Sequence, residues 1–378
     1  MKKVIVATRD TSRWPEFAGS TWVRLQYVLG LGKLGIESYW VDRLSAVDPY
    51  EHPHTLHYLV ERFDRTARQF GFHDRYCIDY DRGEKHFGLS GESLRHLIES
   101  ADLVLNISGH MPPDSPLMRV PRRAYVDVDP GFTQIWAAQY DMGLERHNFF
   151  FTVGQNVGTP RFALPLGGVN WQPMLPPVAL DFWPPHIDAN CRRIGTVGDW
   201  RGSQHAIHDA EYFGGKRREY IRLLHLPKQA GKRIELALCI GNEDWEDIGL
   251  LQESRWKILD PFLYAGDPQS YREFIQSSRA EFSVAKSGYV KSNSGWISDR
   301  TACYLASGKP ALVQSTGCDW LFPGRKGLLT FTTQEEALAG LAAIDADYLT
   351  HARAARQIAE EQFDSDKVLG RMLSQVGI

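Results

Sequence analysis

The segment 280–313 carries the residues best suited to handling a phosphate group. Its order is an apolar strand, a loop rich in glycine, serine and lysine, a short helix ending at Gly308, and a second apolar strand after Pro310. A loop of small residues lets backbone N–H groups approach an anion, and the start of the following helix adds a positive dipole. The residues predicted to bind a phosphate-containing ligand here, through its phosphates or its other groups, are Lys286, Lys291, Ser294, Gly295, Trp296, Asp299 and Arg300. A plain βαβ crossover with a solvated loop is the alternative.

Two charged residues at the start of that helix need separate explanations. Asp299 could accept hydrogen bonds from sugar hydroxyls, but it also occupies a position where a helix cap is needed, and capping is the simpler explanation. Arg300 lies one residue further into the positive end of the helix, where a cation is disfavoured unless an anion arrives. This mismatch favours Arg300 as a diphosphate ligand.

A second loop, 198–202, follows another apolar strand and reads Gly-Asp-Trp-Arg-Gly. The guanidinium group of Arg201 matches the geometry of a diphosphate, and the indole of Trp200 could stack on a base or a sugar. We therefore add Gly198, Asp199, Trp200 and Arg201 to the predicted donor-binding residues. The alternative is a surface turn with an exposed arginine.

The order of strand, Ser/Gly loop, helix, Ala-Ser-Gly-Lys-Pro and apolar strand resembles the donor-binding segment of GT-B glycosyltransferases. It is similar in particular to bacterial CgeB-type and other family-1-like transferases, over the C-terminal part of the chain. The resemblance implies an α/β fold in which two Rossmann-like domains face each other across a cleft. It also implies a nucleoside diphosphate sugar as co-substrate, with a UDP-sugar as the first choice. Cys303 stands where many retaining members have a glutamate that contacts the donor ribose, so inversion is favoured over retention.

An inverting transferase needs a general base that takes the proton of the attacking hydroxyl. The candidates follow strands of the N-terminal half and are Asp10, His110, Asp127 and Asp129. His110 has an unperturbed pKa close to neutral and is placed slightly ahead of Asp129. A surface histidine and a turn-forming Asp-Pro-Gly are the structural alternatives for these two residues.

The loop after the first strand is predicted to border the acceptor groove, because in GT-B proteins that strand ends at the cleft. Gly19 and Ser20 would give a flexible approach and a helix start, and Trp14 could form an apolar or sugar-stacking wall. Aromatic residues at such spacing are also common in cores, so both interpretations of Trp14 stay open.

The chain length and composition predict two domains. With 378 residues the chain exceeds what one core usually fills, and 43% hydrophobic residues allow large cores. We place an N-terminal acceptor domain at 1–170, a Pro- and Trp-rich linker at 171–186 and a donor domain at 187–347, which includes a helix at 216–229. The C-terminal helix at 348–378 crosses back to the first domain, as the resemblance implies.

Several classes of function are disfavoured. The net charge of −3 gives no general electrostatic reason to bind nucleic acid or an anionic membrane. Five cysteines form no CxxC pair, no signal peptide is visible and no apolar run approaches the length of a membrane span, so we expect a cytoplasmic protein without an integral membrane segment. Scattered histidines predict no metal site, although Asp127 and Asp129 form a DxD pair. No P-loop and no GxGxxG motif after the first strand is present, which disfavours an ATPase and a dehydrogenase.

The sequence therefore predicts a metal-independent hexosyltransferase. It would move a hexose from a nucleoside diphosphate sugar to an acceptor hydroxyl, with Arg201, Lys286 and Arg300 neutralising the departing diphosphate. A nucleotide-sugar epimerase of the same fold and a non-catalytic sugar-nucleotide-binding protein are the alternatives. The acceptor would be a glycan or a small molecule, with a modified DNA base as a further class.

Overall fold

A computed structural model describes residues 1–48, 50, 52–112, 114–202, 204–232, 234–324 and 326–378. It contains two large, mostly parallel β-sheets that are wrapped by helices, and a two-stranded hairpin. We call the first sheet with its helices α1–α4 the N-lobe, and the second sheet with helices α5–α12 the C-lobe; their bounds follow.

The N-lobe sheet has eight strands in the order β4-β3-β2-β1-β5-β6-β7-β8, and only β3 and β4 pair antiparallel. Its central strands are apolar runs buried on both faces, as parallel strands covered by helices must be. The strands are β1 Lys3–Arg9, β2 Glu37–Leu44, β3 Tyr76–Tyr80, β4 Lys85–Gly88, β5 Leu103–Ile107, β6 Arg123–Asp127, β7 Phe149–Thr152 and β8 Gln172–Pro173. The helices are α1 Ala18–Lys33, α2 Leu56–Gln69, α3 Gly91–Ser100 and α4 Phe132–Gln139.

The C-lobe sheet has six parallel strands in the order β13-β12-β9-β14-β15-β16. Its strands and the separate β10–β11 hairpin are β9 Ile194–Asp199, β10 Ala206–His208, β11 Glu211–Phe213, β12 Ile234–Cys239, β13 Trp256–Leu259, β14 Ala280–Ser283, β15 Ala311–Gln314 and β16 Leu328–Phe331. The helices are α5 Arg217–Arg222, α6 Leu226–Ala230, α7 Trp245–Glu253, α8 Pro261–Ala265, α9 Pro268–Gln276, α10 Ser287–Lys291, α11 Asp299–Ala306 and α12 Gln334–Ala346, followed by α13 Tyr348–Ile358 and α14 Ser365–Gln375.

One local prediction was wrong, and one element was missed. The single helix expected at 216–229 is two short helices, because Pro227 cannot continue a helix and instead lies in the first turn of α6. The β10–β11 hairpin was not predicted; it lies against α4 of the N-lobe, where the indole N–H of Trp136 donates to the carbonyl of His205 at 3.1 Å. Its strands are only three residues long and leave little periodic signal in the sequence.

The last helix packs against the N-lobe. Helix α14 lies along α1, and the N–H of Ser365 donates to the carbonyl of Val178 at 2.9 Å. Gly30 of α1 makes this approach possible, since a Cβ there would lie 2.6 Å from the Cβ of Ser365 and 2.7 Å from Cδ1 of Leu369. The domain boundaries given above stay a prediction. No helix in the described part of the chain is both long and apolar enough to cross a bilayer.

Two glycines of α1 provide a matched test of this contact. Gly30→Ala should lower the free energy of unfolding by about 1–3 kcal/mol, because the added methyl group overlaps α14. Gly32→Ala should raise it by about 0.5–1 kcal/mol, because no atom beyond the neighbouring helix backbone lies within 4 Å of the new Cβ and alanine favours the helix. Urea unfolding measures both. Equal effects of the two substitutions would contradict close packing of α14 on Gly30.

Candidate active site

A cavity of about 830 Å³ lies between the lobes. Its lining includes residues that follow β1 and β6 in the N-lobe, the end of β9 and the end of β12, so the carboxyl ends of parallel strands from both sheets open into it. Ligands in open α/β sheets bind at such ends. The topology of the two sheets therefore puts the cavity at the carboxyl ends of their strands, and the residues at those ends determine its chemistry.

Arg300 lines the cavity but is anchored below it. Its Nε–H donates to Glu281 Oε1 at 2.7 Å, Nη1 donates to the carbonyl of Val197 at 2.7 Å, and Nη2 donates to the hydroxyl of Ser283 at 2.5 Å. Glu281 is fully buried. Burial alone would lower the pKa of Arg300, but Glu281 outweighs it and the pKa is raised. The mismatch between Arg300 and the helix dipole is therefore compensated by Glu281 without any bound anion.

Lys216 lies beside Arg300 and was not predicted. A Cβ on Gly198 would be 3.1 Å from Lys216 Nζ and 3.5 Å from Arg300 Nη1, so two cations share one small region of the cavity wall. Burial, and then the charge of Arg300, lower the pKa of Lys216 to about 7. The sequence signal is the preceding Gly214-Gly215 pair: a Cβ on Gly215 would overlap the backbone of Arg201, so glycine lets the two loops stack and positions the lysine.

Lys286 contacts the opposite lobe. Its Nζ donates to Asp129 Oδ1 at 2.8 Å and to Gln204 Oε1 at 2.9 Å, and the hydroxyl of Tyr289 also donates to Asp129 Oδ1. All four residues line the cavity. Burial alone would raise the pKa of Asp129, but Lys286 and Tyr289 outweigh it and the pKa is lowered. The structure thus brings one predicted donor residue and one predicted base together across the cleft.

Asp127 organises the end of β6 and does not line the cavity. Its carboxylate accepts from the hydroxyls of Thr133 at 2.6 Å and Thr152 at 2.7 Å, from the amide of Gln134 at 3.1 Å, and from the N–H of Asp129 at 2.9 Å. Burial raises its pKa. Asp127 was predicted as a candidate general base, and the structure contradicts this. Four donors occupy its carboxylate, which is fully buried and out of reach of an acceptor.

Asp299 was expected to cap α11, and this expectation was wrong. The N-cap is Ser298, whose hydroxyl accepts from the N–H of Arg300 at 3.2 Å. The carboxylate of Asp299 faces the cavity and has no ion pair or hydrogen bond from another described residue. Burial raises its pKa, against the opposing effect of Arg300. It is therefore available to a ligand.

The loop 198–202 contributes three of its four predicted residues to the cavity lining: Gly198, Asp199 and Arg201. Arg201 is held by two hydrogen bonds of 2.6 Å to Asp244, which is itself buried. The prediction that Trp200 binds the donor was wrong, because its side chain points into the core. It is fully buried, stacks on Tyr220 and donates its indole N–H to Asp247 at 2.8 Å. It cannot stack on a donor base.

The end of α10 and the loop after it, residues 291–295, also depart from the prediction. Lys291 is exposed and pairs with Glu211 at 2.8 Å. The carbonyl of Ser294 accepts from the N–H of Asn156 in the N-lobe at 3.1 Å, and a Cβ on Gly295 would lie 2.8 Å from the same nitrogen. These three residues lie outside the cavity lining, and the small residues serve contact between the lobes. Trp296 does line the cavity and stacks on Tyr289 with a centroid distance of 4.3 Å.

The other base candidates differ in position. His110 does not line the cavity, and the residue is exposed, as the surface alternative expected. Asp10 lines the cavity, but its carboxylate accepts from the N–H and the hydroxyl of Ser45 at 2.8 and 3.0 Å. Of the four candidates, Asp129 is the one that both lines the cavity and faces the predicted donor residues.

The predicted acceptor residues Trp14, Gly19 and Ser20 all line the cavity from the N-lobe. Trp14 is 42% exposed, so it forms part of the cavity mouth rather than of the core. Phe17 packs edge-to-face against Phe262 of the C-lobe, with ring centroids 5.8 Å apart, and closes the same side. In the described part of the chain, no group of three or more histidine, cysteine or acidic side chains is placed to hold a metal ion.

Comparison with known proteins identifies the class. Residues 223–374 match the model of a family described as glycosyl transferase-like. No curated protein matches the sequence. Among solved structures, an alpha-glucosyltransferase in complex with UDP and a 13-mer DNA containing an HMU base is 12% identical with a TM-score of 0.61, over 100% of this chain and 99% of that one.

Two further structures give similar values. HepE of Anabaena in complex with UDP and glucose is 12% identical with a TM-score of 0.56, over 100% of this chain and 99% of that one. AviGT4, a glycosyltransferase involved in avilamycin A biosynthesis, is 14% identical with a TM-score of 0.55, over 100% of this chain and 97% of that one. The chain therefore has the GT-B fold, and its residues 223–374 are similar to a glycosyl transferase-like family. The predicted fold and the predicted glycosyltransferase class are confirmed, while the likeness to CgeB-type proteins stays a prediction.

The buried pair between Arg300 and Glu281 gives a test of its structural role. Arg300→Ala should lower the free energy of unfolding by about 3–5 kcal/mol, because it leaves the charge of Glu281 buried and unpaired. The double variant Arg300→Ala/Glu281→Gln should recover a large part of this loss, because it removes the isolated charge. Urea unfolding of the three proteins measures the difference. Equal stability of the single and double variants would contradict this explanation.

Proposed function

We propose that this protein transfers a hexosyl group from a UDP-sugar to an acceptor hydroxyl without a metal ion. The observation that carries the proposal is the group of cations that reaches one interlobe cavity from the C-lobe, Lys216, Lys286 and Arg300. A departing diphosphate needs positive charge, and side-chain cations with a helix N-terminus can supply it in place of a metal. UDP is the proposed leaving group because two of the similar structures were solved with UDP.

Asp299 and Asp129 take the other two roles. We assign Asp299 to the sugar hydroxyls of the donor, since its carboxylate faces the cavity beside Arg300 and accepts no hydrogen bond from another described residue. We assign Asp129 as the base that receives the acceptor proton, which corresponds to inversion at the anomeric carbon. We propose a glycan or small-molecule acceptor at the mouth beside Trp14, because the net charge of −3 offers no general attraction to a polynucleotide. A cytoplasmic location is supported by five free cysteines.

A donor panel tests the function. Thermal unfolding with UDP-, GDP-, TDP- and ADP-sugars should show the largest stabilisation with a UDP-sugar, since a ligand that binds the folded state raises the melting temperature. Incubation should then give slow release of UDP and free sugar. An isomeric sugar nucleotide would indicate an epimerase, and binding without turnover would indicate a binding protein. No stabilisation by any nucleotide would contradict the proposal. Asp299→Asn should keep the affinity for UDP and lose the preference for UDP-glucose over UDP.

The acceptor class is tested separately. A gel-shift measurement with duplex DNA containing a hydroxymethylated base should show no specific binding, because the proposed acceptor is a glycan or small molecule. Specific binding would favour the modified DNA base as acceptor, for which the similarity to a structure solved with DNA is the present support.

Lys216 predicts a pH dependence of donor binding. Its pKa of about 7 in the empty cavity should rise when a diphosphate binds beside it. The affinity for UDP-glucose should therefore be highest below pH 7 and fall above it, by up to about tenfold per pH unit. UDP-glucose is the better ligand for this measurement than UDP, because UDP has a terminal phosphate that itself titrates near this pH range. Calorimetry between pH 6 and 9 measures the slope.

Two variants separate Lys216 from other titrating groups. Lys216→Gln should bind UDP-glucose more weakly and lose the slope, because the side chain no longer takes up a proton. Lys216→Arg should lose the slope while keeping a positive charge, since arginine stays protonated. A slope that persists in both variants would assign the pH dependence to another residue.

A further inference from the structure

The ion pair between Lys286 and Asp129 joins the two lobes across the cavity. Asp129 follows β6 in the N-lobe, and Lys286 precedes α10 in the C-lobe. The side chain of Lys286 is 16% exposed and that of Asp129 is 19% exposed, and Lys286 Nζ lies 2.8 Å from Asp129 Oδ1. Both belong to the cavity in which the cations Lys216 and Arg300 also lie. The charge of Lys286 is thus paired with a carboxylate of the opposite lobe, inside the proposed diphosphate site.

This arrangement conflicts with both proposed roles if it is permanent. A lysine held by a carboxylate attracts a diphosphate less than a free lysine does, because the carboxylate repels the incoming anion. A carboxylate held by a lysine and a tyrosine hydroxyl is a weak base, because both partners favour its ionised form. The same contact therefore reduces donor binding and base strength together.

We propose that Lys286 exchanges partners during the reaction: it pairs with Asp129 in the empty cleft and with the donor diphosphate in the loaded cleft, and the exchange frees Asp129 to act as the acceptor base. The inference rests on the proposed function. It makes binding ordered, with the donor first, because an acceptor that arrives earlier meets an Asp129 still held by Lys286.

The surroundings of Asp129 are consistent with this exchange. The titratable and charged groups that interact with it are Tyr125 and Asp127 of β6, Arg24 of α1, His110 after β5, and Lys286 and Tyr289 from the C-lobe. When the diphosphate draws Lys286 away, Tyr289 and the more distant Arg24 and His110 remain, while the hydrogen bond from the N–H of Asp129 to the carboxylate of Asp127 keeps the loop in place. The carboxylate then becomes more basic without moving far.

The chemical step balances with these groups. The acceptor hydroxyl oxygen forms a bond to the anomeric carbon, its proton passes to Asp129, and the bond between the anomeric carbon and the diphosphate oxygen breaks. UDP leaves with that electron pair, its negative charge held by Lys216, Lys286 and Arg300. After UDP departs, Lys286 returns to Asp129 and the proton is released to solvent.

UDP affinity measured by calorimetry tests the exchange through its sign. Asp129→Asn should bind UDP about tenfold more tightly than the unaltered protein, because the anion that competes for Lys286 is gone. Lys286→Met should bind UDP about tenfold more weakly. The Asp129→Asn protein should at the same time lose a factor of about 100 or more in kcat, because the base is missing. Tighter donor binding with slower turnover is a combination that a merely structural ion pair does not produce.

Two controls remove simpler explanations. Glu16→Gln removes the same charge from the N-lobe wall of this cavity, where Glu16 pairs with His54 and not with Lys286. It should change UDP affinity by less than about twofold; tightening as large as that of Asp129→Asn would overturn the proposal in favour of a general charge effect. Tyr289→Phe keeps the ion pair and should not tighten UDP binding, and tightening there would likewise overturn it.

The remaining outcomes separate this inference from the function itself. If the unaltered protein binds no nucleoside diphosphate, the proposed function fails and the exchange with it. If it binds UDP but Asp129→Asn binds no more tightly, the exchange alone is wrong. Thermal unfolding of each variant without ligand confirms that the protein is folded before its affinity is compared, and a variant that does not fold is replaced by Asp129→Ser, which also removes the charge.

Discussion

The buried pair between Glu281 and Arg300 is the interaction on which the cavity depends. It places a full positive charge at the carboxyl end of the C-lobe sheet, where isolated burial of a cation would be prohibitive. The two bonds from Arg300 to the carbonyl of Val197 and the hydroxyl of Ser283 tie α11 to β9 and β14 as well. The charge is thus fixed by three elements before any ligand arrives, so a binding anion would not have to organise it.

Cations of the C-lobe face a carboxylate of the N-lobe in the cavity. The C-lobe supplies Lys216, Lys286 and Arg300, and the N-lobe supplies the carboxylate of Asp129. In the empty state Glu281 compensates Arg300 within the C-lobe and Asp129 compensates Lys286 across the gap, which limits the cost of keeping several cations in a confined space. A diphosphate would take over part of that compensation. In the proposed reaction, the coupling between donor and acceptor binding would follow from charge balance, without a change of fold.

The sequence predicted much of the fold because parallel strands buried on both faces leave continuous apolar runs. Strands β1, β6 and β14 were recognisable in this way, and the polar residues after them fall at the cavity. The sequence was a poorer guide to the roles of individual site residues, because one residue type can serve several roles. The Ser294-Gly295 loop reads as an anion cradle, yet its small side chains allow close contact with Asn156 of the other lobe. Trp200 reads as a stacking platform, yet its indole finds a partner in the buried Asp247.

The sequence by itself determined the α/β alternation, the position of the cleft at the strand ends and the presence of cations near it, because periodicity and residue type are local properties. Only the tertiary structure decided which charges meet. Lys216 and Arg300 are far apart in the chain and adjacent at Gly198, and Asp129 and Lys286 pair across two lobes. Whether a charge is free for a ligand depends on such partners, and partners distant in sequence leave no trace in a local pattern.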